Sequence, residues 1–152
     1  MNPEKSLWGN LPLDDIIRTP VIILREQATI LTKLTNGLLE GVVTVRTASE
    51  QLFGSKPLKE FSGTLGIVAA ALDGYTLLVL KVEYDLAIYP VTTIDLLGGG
   101  AWEQKICHNE EELMTALGEV LSSDRVSRSI SLLLAQSRST VPTISNVSFS
   151  AA

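Results

Sequence analysis

Residues 106–112, Ile-Cys-His-Asn-Glu-Glu-Glu, hold the chain's only cysteine and its only histidine, followed at once by three carboxylates. A thiol with an imidazole as its base is the pairing from which nucleophilic catalysis is built, and Cys, His and Glu are all metal ligands. The spacing argues against both uses. Cys107 and His108 are adjacent at the end of a segment that alternates like a strand, so their side chains point to opposite faces. A structural zinc site would need four ligands, usually Cys or His, and only two are present. Asn109 followed three residues later by Glu112 instead matches a capping box with Asn in place of Ser or Thr, and carboxylates in a first helical turn face the positive end of the helix dipole. The motif is expected to start a helix. That helix N-terminus lowers the pKa of the Cys107 thiol while the glutamates raise it.

The other candidates for chemistry are weaker still. Gly98-Gly99-Gly100 could wrap a phosphate, but it runs into a strand-like segment rather than opening a helix, which a phosphate loop requires. Glu83 and Asp85 share a strand face with Lys81 and read as an ordinary polar face with ion pairs. Arg125, Arg128 and Arg138 are the only support for a nucleic-acid surface, in a chain of net charge -5. Affinity for phosphate backbones rests on Lys and Arg neutralising charge, so no nucleic-acid partner is expected. No cofactor and no metal is expected either. An enzyme or ligand-binding protein built on this chain would need the fold to gather Cys107, His108, Tyr84 and Glu112 in a pocket between sheet and helices.

The elements that must position these residues follow from hydrophobic period. Thr19-Pro20 supplies a cap and a first-turn proline, and Asn36-Gly37 a left-handed stop, which predicts a helix over about 20–35. Its stripe is Ile23, Leu24, Ile30, Leu31 and Leu34. After Gly37 the period falls to 2, and residues 38–47 read as a first strand, with Leu39, Gly41, Val43 and Val45 on one face. Residues 48–61 are irregular. Residues 62–72 and 75–84 are expected to pair through an Asp73-Gly74 turn, and 85–94 to continue as a further extended piece that Pro90 confines to an edge or bends. Although 62–80 nears the length of a membrane-spanning helix, Asp73-Gly74 at its middle speaks for the hairpin, and no membrane association is expected. A short strand at 101–108 and two amphipathic helices complete the order. Their stripes are Leu113, Leu117, Val120, Leu121 and Val126, Ile130, Leu133, Leu134, with Ser122-Ser123 between them.

Helix, then strands, then helices predicts an α+β domain: an N-terminal helix, a mainly antiparallel sheet of four to five strands, and two C-terminal amphipathic helices packed on it. The expected organisation is a flexible arm over 1–12 with Trp8 as its anchor, one domain over 13–136, and a Ser/Thr-rich tail over 137–152. The tail's Val141, Ile144, Val147 and Phe149 suit docking on a partner. A single cysteine makes no internal disulfide, and the N-terminus lacks the features of a signal peptide, so the cytoplasm is the expected compartment.

No catalytic set survives this reading, which leaves a small acidic module that binds protein or assembles. Masking of a basic partner, as immunity proteins and antitoxins do, is one role within that class. The hairpin reads as apolar on both faces, Leu65 and Ile67 on one strand and Leu77 and Val79 on the other. Those four are the expected partner-binding residues, through a homodimer or another protein.

Overall fold

The computed structural model describes residues 5–48, 59–98 and 103–140. Helix α1, Pro20–Leu34, opens with Pro20 in its first turn and the Thr19 hydroxyl accepting the Ile22 N–H at 3.2 Å. It stops at Asn36 and Gly37, both at positive φ, with the Gly37 N–H donating to Thr32 O at 2.8 Å. Two threonines of its last turn then lash the next strand to it: Thr35 Oγ1 accepts from Leu39 N–H (3.2 Å) and Thr32 Oγ1 from Gly41 N–H (3.0 Å).

Strands β1 (Glu40–Thr47), β2 (Phe61–Ala69), β3 (Tyr75–Tyr84), β4 (Val91–Asp95) and β5 (Gln104–Cys107) form one antiparallel sheet in the order β1-β2-β3-β4-β5. Helices α2 (Glu110–Leu121) and α3 (Asp124–Thr140) follow, and Ser123 caps the second by accepting the Val126 N–H at 3.3 Å. The fold is therefore α+β: an N-terminal helix, a five-stranded antiparallel sheet and two C-terminal helices. Helix α3 continues to Thr140, three residues past the expected start of the tail at 137.

All three helices lie on the same face of the sheet. A Cβ on Gly63 would meet Val21 and Leu24 of α1, and one on Gly41 would strike the Ala28 backbone, so both glycines mark where α1 presses on β1 and β2. Over the other half, Ala116, Glu119 and Val120 of α2 share a hollow with Thr93 and Lys105. The core between the layers includes Ile23, Leu24, Leu39, Ile67, Leu80, Val82, Val91 and Leu113, each under about a fiftieth exposed.

The expectation of a doubly apolar hairpin is corrected by one irregularity. Leu65 pairs with Leu80, but the next residue, Gly66, pairs with Leu78, which leaves Val79 as an extra residue in β3. Across such a bulge the alternation changes phase. Tyr75 and Leu77 before it, and Leu80, Val82 and Tyr84 after it, therefore all fall on the helix-covered face, and Val79 and Leu80 are both buried side by side. The bare face is mixed rather than apolar. It carries Thr44, Arg46, Ser62, Thr64, Thr76 and an ion pair between Lys81 and Glu83 at 3.4 Å, together with Val42, Val68, Leu78, Ile94 and Ile106, of which Leu78 and Ile106 are exposed.

Two further differences have local causes. Strand β2 ends at Ala69 and residues Ala70–Leu72 form a 3₁₀ turn, so the connection spans five residues rather than two. Asp73 (φ 60°) and Gly74 (φ 78°) do take the left-handed conformation their types favour. Residues 85–90 leave the sheet as a loop, and β4 is an interior strand that begins directly after Pro90, which has no N–H to give a ladder. Trp8 does not anchor the arm: it is 78% exposed. The glycine run's Gly99 and Gly100, residues 49–58 and the tail from Val141 onward lie outside the described residues.

Candidate functional site: an apolar cleft between the first and third helices

The Cys/His/Glu cluster folds as a helix start. Asn109 Oδ1 accepts the Glu112 N–H at 2.8 Å, and Glu112 reaches back to accept the His108 N–H at 2.8 Å while lying 3.1 Å from His108 Nδ1. These contacts hold the Glu112 carboxyl below the usual carboxylate range, the His108 backbone N–H being the main cause and the His108 ring the second. His108 stands in solvent. Cys107 turns the other way and is 2% exposed in the core. Burial pushes its thiol upward, the nearby Glu112 adds to that, and Lys105 opposes it. A buried thiol kept protonated is a poor nucleophile. Tyr84 is buried on β3, where its ring stacks on Phe61 at 5.7 Å. Of the four residues that an enzyme would need together, only His108 and Glu112 come within hydrogen-bond reach, as an exposed pair. Among the described residues no group of three His, Cys, Asp or Glu could hold a metal ion.

The remaining charged candidates are occupied or scattered. Arg125 lines a hollow with Asp95, Glu103, Glu119 and Asp124. Asp85 has left the strand, where it accepts the Glu60 N–H at 3.0 Å and pairs with Lys59 at 3.5 Å.

The concave feature with a distinct chemical character lies elsewhere. The apolar stripe of α1 is longer than the surface it covers. Ile23 and Leu24 are fully buried, whereas Ile30 is 45% and Leu34 77% exposed. The last two turns of α1 overhang a cleft of about 200 Å³ whose far wall is Leu121 of α2 with Val126 and Ile130 of α3, and whose floor is Leu65, Ile67 and Val79. No ionisable side chain lines it, and Gln27 is its only polar one. Such a wall can neither move protons nor hold a charge. It can desolvate apolar groups, at roughly 25 cal/mol per Å² removed from water.

This arrangement places the four expected partner-binding residues. Leu65, Ile67 and Val79 are 4%, 2% and 1% exposed as the floor of the cleft, covered by the chain's own helices; Leu77 is half-buried beside Leu132 and Leu133 of α3. They are not a bare face, because the bulge brought both halves of β3 under the helices. The walls, Ile30, Leu31, Leu34, Leu121 and Ile130, read from the sequence as ordinary core stripe. The available signal was length: the stripe of α1 from Ile23 to Leu34 runs about three turns, while its partner strand β1 offers few large side chains opposite.

No family model, no curated protein and no solved structure matches this chain. Among the described residues no helix is long and apolar enough to cross a membrane.

Proposed function

We propose that this chain is a non-catalytic protein-binding or assembly module whose working site is the cleft between α1 and α3, and that the site receives a row of apolar side chains from a protein segment. The observation that supports this is the uncovered second half of the α1 stripe facing Leu121 and Ile130 across an apolar floor. Size favours side chains over a free ligand. Pockets that take drug-sized molecules run to roughly 300–1,000 Å³, whereas an apolar cavity of roughly 150 Å³ holds one benzene ring. A cleft of about 200 Å³ therefore suits one or two anchors of an amphipathic helix laid along it.

The test compares the natural chain with Ile30→Asp and Leu34→Asp, two exposed positions where a charge leaves the core intact. Affinity purification from the native cell should yield a protein at near-stoichiometric amount with the natural chain, and that protein should be lost with either variant. A partner retained equally by both variants, or no copurifying protein together with a chain that is itself a monomer, removes the support for this reading.

A further inference from the structure

We infer that the cleft is also the receptor for residues 11–17 of a second copy of this chain, so that two copies exchange N-terminal arms. This rests on the cleft being a docking site, and it names one occupant. Before α1 the chain exposes Leu13 at 82%, Ile16 at 92% and Ile17 at 65%, a density of bare large apolar side chains that no other described segment matches. Their spacing, i, i+3 and i+4, would bring all three to one side if the segment wound into a helical turn on docking, with Asp14 and Asp15 directed away. In the single copy one turn stands just ahead of the two isoleucines, where the Asp15 N–H donates to Pro12 O at 3.2 Å, and residues 15–19 run on without regular structure. An apolar row of three on a single turn is the counterpart of a short apolar cleft. The rim fits in charge as well. Lys33 stands exposed on α1 beyond Ile30, makes no ion pair among the described residues, and would meet the arm's two aspartates.

The arm does not fill its own cleft: Leu13, Ile16 and Ile17 stand 82%, 92% and 65% exposed in the single copy. Arg18 is held between Glu26 of α1 and Glu110 of α2, the latter at 3.5 Å, so the arm leaves the domain beside those helices with its apolar side chains in solvent. A second copy supplies the occupant. Since each copy carries both arm and cleft, mutual insertion about a two-fold axis closes the assembly at two.

Sedimentation velocity of the full chain at micromolar concentration tests this directly. The natural chain should sediment as a dimer. The arm variant Ile16→Asp/Ile17→Asp should weaken it by roughly a hundred-fold or more, two large apolar side chains being withdrawn from each of the two contacts. Because both residues stand in solvent in the single copy, the variant's thermal midpoint as a monomer and its circular dichroism should match the natural chain's. Leu34→Asp should do the same from the receiving side. Mixing the two variants should give a heterodimer tighter than either variant alone and weaker than the natural dimer, because one of its two insertions joins the second variant's intact arm to the first's intact cleft. A monomeric natural chain, a dimer indifferent to either variant, or a mixture that associates no more tightly than the variants do separately overturns the inference. A monomer that still recovers a protein through its cleft from the native cell would overturn arm exchange while leaving the cleft as a protein-binding site, so the two failures are distinguishable.

Discussion

Replacing Gly41 by alanine should separate α1 from the sheet. An added Cβ would lie 2.5 Å from both the Cα and the carbonyl oxygen of Ala28, and 2.8 Å from its carbonyl carbon. Carbon atoms in contact sit at roughly 3.5–4 Å, so helix and strand must part by about 1 Å. The obstacle is helix backbone, which no rotamer change can move. A gap of that size forfeits roughly a quarter to a half of the dispersion energy between facing atoms, here those of Val21, Leu24 and Ala28 against β1 and β2. Overpacking of this kind costs roughly 1–3 kcal/mol, and stretching the 3.0 Å bond from Gly41 N–H to Thr32 Oγ1 adds about 1 kcal/mol. The stiffer unfolded chain returns roughly 0.4–1 kcal/mol. The net loss of about 2–3 kcal/mol should lower the urea midpoint by roughly 1 M or more at an ordinary slope. Gly63→Ala is the internal comparison. Its Cβ would meet the end of the Val21 side chain at 3.0 Å, which can rotate away, so the midpoint should fall by less than half as much. Equal losses at the two positions, or a Gly41→Ala midpoint within about 0.3 M of the natural chain's, would refute the close approach of α1 to β1.

Three other outcomes are expected. Gly118→Ala should stabilise the protein by up to about 1 kcal/mol in thermal or chemical melts, since it lies inside α2 with nothing within 4 Å of its Cβ position. Asn109→Ala should cost about 1 kcal/mol by removing the acceptor of the Glu112 N–H, and Asn109→Ser should retain most of it. Cys107 should react with iodoacetamide far more slowly in the folded than in the urea-unfolded protein. Because its thiol pKa is raised by folding, this group's contribution is fully present below the unfolded thiol's pKa and fades as pH rises through the folded value. Cys107→Ala should therefore flatten the alkaline side of the stability profile, and an unchanged profile would contradict the burial of the thiol.

The sequence was legible where structure is local. Thr19-Pro20 and Asn36-Gly37 bounded α1 within a residue, and Asn109 and Glu112 announced the start of α2, because caps act over three or four residues. The left-handed pair Asp73-Gly74 was legible for the same reason. Regular alternation failed at β3, where one additional residue moved Tyr75 and Leu77 onto the same side as Leu80 and Val82. Nothing in the types Leu-Leu-Val-Leu marks a bulge, and so the strand read as apolar on both sides. The cleft was invisible for a different reason. Ile30 and Leu34 have the identity and spacing of core residues, and only the placement of α3 across the sheet leaves them uncovered.

The extra residue in β3 bears on what the cleft is made of. Without Val79 the strand would read Tyr75-Thr76-Leu77-Leu78-Leu80-Lys81-Val82-Glu83-Tyr84, inward and outward in unbroken turn, with the pairing to β2 kept on both sides. Val79 is thus an insertion in an otherwise regular strand, and such an insertion bends its strand and tightens the local twist. Val79 itself lies on the floor of the cleft. Deleting this single residue would leave a regular ladder and take one apolar side chain out of that floor, so one codon bears both on the strand's alternation and on the surface the cleft offers.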